Sequence, residues 1–213
     1  MKYIIMCGGD YPRWETPRQL TEIHGEPIVA RTIRLLTEQN VPKEDIFISS
    51  LDDRFGQFGV VLLKHENNYH WGDHGKSYWV DAFYPSEDPV CYLMGDVFFS
   101  PFAIASIVNY QPGEDIMFFA SGYCNGKGYA KPWAEPFGFK VFNQARFKEA
   151  IAITKAYQDR GMFRRRPVSW ELWQVIRGTK LNVIAMDYFI IDDYSCDIDE
   201  HEDIAKYERL KVD

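Results

Sequence analysis

Apolar residues in this sequence come in two rhythms. Short unbroken runs, Tyr3-Ile4-Ile5-Met6, Ile46-Phe47-Ile48 and Val90 to Met94, have the length and solid character of strands buried on both faces. Between them the spacing lengthens to a helical period. The pattern predicts a strand near 2 to 7, a helix near 27 to 40 ended by Asn40-Val41-Pro42, a strand at Asp45 to Ser50 and another at Val60 to Leu63. Gly75 to Tyr84 reads as a helix stopped by Pro85, after which the strand Val90 to Met94 delivers Gly95-Asp96 at its carboxyl end. Trp170 and Trp173, at helical spacing beside Leu172 and Ile176, predict a helix packed on the sheet or on a second subunit. A last helix would carry Ile204, Tyr207 and Leu210 on one side. Strands alternating with helices predict an α/β protein with a mostly parallel sheet. No repeat, low-complexity segment or linker divides the chain, so a single domain over 1–213 is expected.

Composition narrows the function. The chain has 213 residues, 46% hydrophobic and 26% charged, which suits an ordinary globular protein with a sizeable core. Its formal charge of −7 argues against a nucleic-acid partner, since such binding needs clustered cations. Arg160, Arg164, Arg165 and Arg166 are a local exception, read either as a solvated loop or as a contact for a phosphorylated substrate or partner. Cys7, Cys91, Cys124 and Cys196 are widely spaced without a CxxC pair, which points to reduced, mostly buried thiols. No apolar run has the roughly 18 residues of a membrane helix, and MKYIIMCGGD is broken by glycine too early for a signal peptide; a cytoplasmic location away from membranes is expected.

The chemistry begins where the first strand opens into Cys7-Gly8-Gly9-Asp10-Tyr11-Pro12-Arg13, followed by Pro17-Arg18-Gln19-Leu20. Backbone amides approach an anion closely where no Cβ intervenes, and Arg13 and Arg18 add charge for a polyphosphate. The segment resembles the opening signature of the nucleotidyltransferases with a glycosyltransferase A-type fold, Gly-Gly-x-Gly-x-Arg, a gap, then Pro-Lys-x-Leu. Gly8, Gly9, Arg13, Pro17 and Leu20 fall in place, and Ile23-x-Gly25-x-Pro27-Ile28 continues into the expected turn and helix. Two positions depart: Tyr11 stands at the third glycine, and Arg18 stands where the family has a phosphate-binding lysine. An arginine keeps the charge but replaces a compact ammonium with a planar fork.

Two further segments carry the resemblance. Tyr92 to Ser100 is similar to the family's "hydrophobic run, Gly-Asp, hydrophobic" element, in which the aspartate, here Asp96, holds a divalent metal. Read alone, an aspartate at a strand end is as well a turn former or cap. Cys196-Asp197-Ile198-Asp199-Glu200-His201-Glu202-Asp203 resembles the segment that supplies a second metal ligand, Asp199 first and Asp197 next; Asp199 with Glu202 also reads as a capping box. Carboxylate and phosphate oxygens together suit Mg²⁺.

The resemblance implies a Rossmann-like three-layer sandwich, the nucleotide-diphospho-sugar transferase fold. It also implies an Mg²⁺-dependent reaction between a nucleoside triphosphate and a small phosphorylated acceptor, serving nucleotide sugar or cell-surface polysaccharide synthesis. Gly8, Gly9 and Asp10 would line the triphosphate, and Arg13 and Arg18 would clamp it. Lys76 and Ser77 would open a helix that contacts the nucleotide, although Ser77 equally reads as a plain helix cap. Trp133-Ala134-Glu135-Pro136-Phe137-Gly138-Phe139 resembles the acceptor-binding element, with Lys131 and Glu135 as substrate contacts, and also fits a surface loop. Length and the Asp-Ile-Asp segment lean towards cytidine. His70 and His74 have a zinc-like spacing, but Gly72 disfavours the helix that would align them, and Gly75-Lys76-Ser77 lacks the glycine and preceding strand of a P-loop. A glycosyltransferase of the same fold and a nucleotide-binding regulator without transfer chemistry are the alternatives, and assembly of identical subunits is compatible with each.

Overall fold

The computed structural model describes residues 1–9, 13–66, 77–122, 134–183 and 187–210. In chain order the elements are β1 (Lys2–Met6), β2 (Glu22–Ile23), β3 (Glu26–Pro27), α1 (Ile28–Glu38), β4 (Ile46–Ser49), β5 (Val61–Leu63), β6 (Val90–Met94), β7 (Val97–Phe98), α2 (Pro101–Asn109), β8 (Ile116–Ser121), β9 (Pro136–Val141), α3 (Gln144–Asp159), α4 (Ser169–Arg177), β10 (Phe189–Ile191), β11 (Cys196–Asp197) and α5 (His201–Glu208). The strands expected from the apolar runs are β1, β4, β5 and β6. The first helix is α1, which buries Ile28, Val29, Thr32, Ile33, Leu35 and Leu36 on one stripe and gives way at Asn40, whose φ of 61° takes the left-handed conformation asparagine tolerates.

Seven strands form the central sheet in the order β10-β8-β9-β6-β1-β4-β5. β1 pairs in parallel with β4 and β6, β4 with β5, and β8 with β10, while β9 runs antiparallel to both of its neighbours. The sheet is therefore mostly parallel, as expected, with one reversed strand. Chain order changes direction across β1, with β4 and β5 on one side and β6 on the other, so a topological switch point lies between β1 and β6, where α/β proteins gather ligands.

Residue alternation shows a layer on each face of the sheet. On one face Phe83, Tyr92 and Phe139 pack around Phe147 of α3, and Phe118 meets Trp170 and Trp173 of α4. The tryptophan pair thus joins helix to sheet. On the other face, buried Lys140 donates to the carbonyls of Ile107, Val108 and Tyr110 at 2.9–3.0 Å, capping the end of α2 with a cation. Burial pushes its pKa below the usual lysine value.

The segment expected to be helical over 75–84 differs. Among the described residues it contains only a single 3₁₀ turn at Trp79–Ala82. Phe83 sits edge-on to Trp79, Tyr92, Phe139 and Phe147, with ring centroids 5.0–5.5 Å apart. Packing this ring onto the sheet overrides the local tendency to continue a helix. Cys7, Cys91 and Cys196 are buried, as their spacing implied. Burial pushes the Cys91 thiol up to about 12. Cys124 lies outside the described residues.

Two glycines let backbones touch. A Cβ on Gly95 would run into the Met6 carbonyl and lie 2.7 Å from Cys7 Sγ; one on Gly138 would strike the Tyr92 carbonyl. We expect Gly138→Ala to cost about 1–3 kcal/mol, seen in thermal unfolding as a fall of about 2–4 °C per kcal/mol. Gly95→Ala is expected to cost a similar amount. It must also displace the β1–β6 rim, so this variant alone should weaken the triphosphate binding that the opening segment's resemblance implies, measurable by calorimetry on the folded protein.

Candidate active site

The register of β1 against β6 builds the centre of the site. Met6 stands opposite Met94, and the Gly95 N–H donates to the Met6 carbonyl at 3.1 Å, so Asp96 emerges beside Cys7. Gly9 has a φ of 122°, a conformation that favours glycine and turns the chain over the end of β1. Burial first, and then the Asp96 carboxylate, push the Cys7 pKa well above the ordinary thiol value. The thiol therefore carries its proton and serves as packing rather than as a nucleophile.

The C-terminal segment arrives from the far end of the sequence. β11 pairs antiparallel with β7, placing Asp197 opposite Val97, and the Ile198 N–H donates to the Asp96 carbonyl at 2.9 Å. Around this ribbon, Ser195 Oγ accepts from the Ser100 N–H at 2.8 Å and the Ser100 hydroxyl meets Asp193. Arg31 braces it from α1, donating to the Phe99 carbonyl at 2.8 Å with its guanidinium 4.3 Å from the Phe98 ring centre. The cap of α5 differs by one residue from the expected Asp199–Glu202 box. Glu200 is the N-cap, and the Asp203 carboxylate accepts from the N–H groups of Asp199 and Glu200 at 3.1 and 3.0 Å, within reach of its short side chain. Tyr207 is buried, with Ile204 and Leu210 packed beside it, as the spacing implied.

Arg18 ties these pieces together. Its Nη2 donates to Asp96 at 2.6 Å, and its Nη1 donates to Asp199 at 2.5 Å and to the Ile198 carbonyl at 3.0 Å. The guanidinium side chain is only 11% exposed. Nearby, the exposed Arg13 pairs with Glu200 at 2.7 Å, the Trp14 indole donates to the Asp199 carbonyl at 3.2 Å, and the Trp14 ring lies 4.2 Å from that of His201. Trp14, Glu200 and His201 escaped the sequence reading because nothing in their spacing links position 14 to position 200.

The reversed strand contributes the remaining carboxylate. Because β9 starts where the parallel strands end, Glu135, just before it, enters the same rim; its N–H donates to Ser121 Oγ at 2.8 Å beside a register shift at Phe119/Ala120. Glu135, Asp197 and Asp199 each present an oxygen within 4.8 Å of the others. Asp96 lies outside this trio and is held instead by Arg18. Glu135, read from sequence as a substrate contact, therefore sits with the expected metal carboxylates. Three hard oxygen donors suit a hard divalent cation.

Ser77 is buried and does not open a helix. Its carbonyl accepts from Gln158 Nε2 and Arg166 Nη2, both at 2.9 Å, and its hydroxyl also meets Arg166. Arg165 pairs with Glu171 at 2.7 Å, so two of the four clustered arginines brace the protein itself. Asp10, Tyr11, Lys76, Lys131 and the His70–His74 pair lie outside the described residues.

No protein-family model and no curated protein matches this chain. Solved structures do. The inositol-1-phosphate CTP transferase of T. maritima superposes with a TM-score of 0.60 at 14% identity over 100% of this chain and 97% of its own. Rv0371c from Mycobacterium tuberculosis H37Rv gives 0.55 at 13% over 98% and 97%, and the CTP:phosphocholine cytidylyltransferase of Streptococcus pneumoniae gives 0.52 at 14% over 97% of each chain. The chain thus has, over nearly its whole length, the α/β fold of solved nucleotidyltransferases.

Proposed function

We propose that the protein is a nucleotidyltransferase, a single domain over 1–213, that joins a nucleoside triphosphate to a small phosphorylated acceptor and releases pyrophosphate. The observation that carries this reading is the meeting of Glu135, Asp197 and Asp199 at one strand-end rim with Arg18, Asp96 and the Gly8-Gly9 turn. Two of the similar structures are named for CTP, which supports cytidine as the base.

In this reading Asp199, Asp197 and Glu135 hold Mg²⁺, which supplies positive charge against the triphosphate when bound. Asp96 serves beside them at the end of β6. Arg13 and Arg18 receive the phosphate oxygens and the Gly8 and Gly9 amides line them, while the sequence resemblance alone assigns Asp10 and Lys76 to the nucleotide and Lys131 to the acceptor. The acceptor phosphate attacks the α-phosphorus in line and pyrophosphate leaves, so the side chains position groups and neutralise charge without forming a covalent intermediate.

The test is pyrophosphate release from each of the four nucleoside triphosphates with Mg²⁺ and a panel of phosphocholine, inositol 1-phosphate and sugar phosphates. CTP with one panel member is expected to turn over. Asp199→Asn should lose roughly 10²-fold or more in rate while keeping its melting temperature within a few degrees. A folded wild type that binds triphosphate but stays silent across the panel would favour the non-transferring regulator.

A further inference from the structure

Arg18 holds two carboxylates at once, and one of them belongs to the trio suited to a metal. Its fork divides: Nη1 lies on Asp199 and on the Ile198 carbonyl, Nη2 on Asp96. Asp199 is at the same time within 4.8 Å of Glu135 and Asp197 oxygens. One guanidinium thus serves as resident cation for an acidic rim that would otherwise repel itself. Arg13, the other arginine of the opening segment, makes an exposed pair with Glu200, the residue after Asp199.

Building on the proposed transferase reading, we propose that Arg18 gates the metal site. In the nucleotide-free protein its guanidinium competes with a divalent cation for Asp199. A triphosphate draws it away by offering phosphate oxygens in exchange for carboxylates, and the Asp199 carboxylate, already beside those of Asp197 and Glu135, becomes available to the cation. A planar fork suits both partners, because it meets two separate carboxylates in one state and a row of phosphate oxygens in the other. A lysine at this position has a shorter stem and a single nitrogen, which cannot stand in both places that Nη1 and Nη2 occupy. The arrangement makes metal binding conditional on nucleotide. By linkage, nucleotide strengthens metal binding by the same factor as metal strengthens nucleotide binding.

The test measures Mn²⁺ binding to the nucleotide-free protein by the loss of the free-ion electron paramagnetic resonance signal, in wild type, Arg18→Lys and Arg18→Met, with thermal unfolding to show that each is folded. Arg18→Lys keeps the charge, so it separates the fork's occupancy of Asp199 from the general attraction of an acidic surface. We expect it to bind Mn²⁺ roughly tenfold more tightly than wild type, the factor for an ion pair between the exposed and buried limits. Arg18→Met is expected to bind at least as tightly as Arg18→Lys. Equal affinity in wild type and Arg18→Lys would overturn the gate while leaving pyrophosphate release, and hence the transferase reading, intact. Mn²⁺ binding by none of the three would overturn the gate together with the metal assignment of Glu135, Asp197 and Asp199.

Discussion

The guanidinium of Arg18 joins three parts of the chain that are far apart in sequence: the segment after the glycine turn, Asp96 at the tip of β6, and the stretch before α5. Its partners are 78 and 181 residues away along the chain. Breaking a fully buried pair of this kind costs about 3–5 kcal/mol by leaving a charge uncompensated, and the partly exposed Asp199 lowers that cost. Without a cation between them, Asp96 and Asp199 would face one another across the rim. The contact occupies one oxygen of Asp199 while that carboxylate already lies beside those of Glu135 and Asp197.

The sheet makes that contact reachable. Parallel pairing of β1 with β6 brings the glycine turn and Asp96 to one edge, and only a glycine at 95 lets the β6 backbone approach Met6 closely enough. Antiparallel β9 brings Glu135 to the same edge from the opposite chain direction. The β7–β11 ribbon then hangs Asp197 and Asp199 next to Asp96. Four carboxylates from three distant segments meet at a switch point, the place where α/β sheets bind charged ligands.

Much of this was legible in the sequence because it rests on local rules. Apolar runs marked β1, β4, β5 and β6, and Gly8-Gly9 with Gly95-Asp96 marked the rim. What escaped was long-range. The reversed strand could not be read, because Pro136 to Val141 has the same composition whichever way it runs, and with it went the company Glu135 keeps. The helix expected at 75–84 was lost to aromatic packing between Phe83 and residues as distant as Phe147. Arg18 stood out in the sequence as an arginine where the resemblance expects a lysine, but its hold on Asp96 and Asp199 depends on pairings that no spacing reveals. The α5 cap moved from Asp199 to Glu200 because Asp203 reaches two backbone amides, a choice of one residue that the acidic run Asp199 to Asp203 leaves open.

The most direct measurement is anomalous diffraction from Mn²⁺ in crystals of the protein with a non-hydrolysable CTP analogue. The account predicts an anomalous peak coordinated by Asp199 together with Asp197 or Glu135, and Arg18 turned from Asp199 onto phosphate oxygens. An ion bound elsewhere on the chain, or Arg18 still paired with Asp199 while nucleotide and metal are both in place, would contradict it.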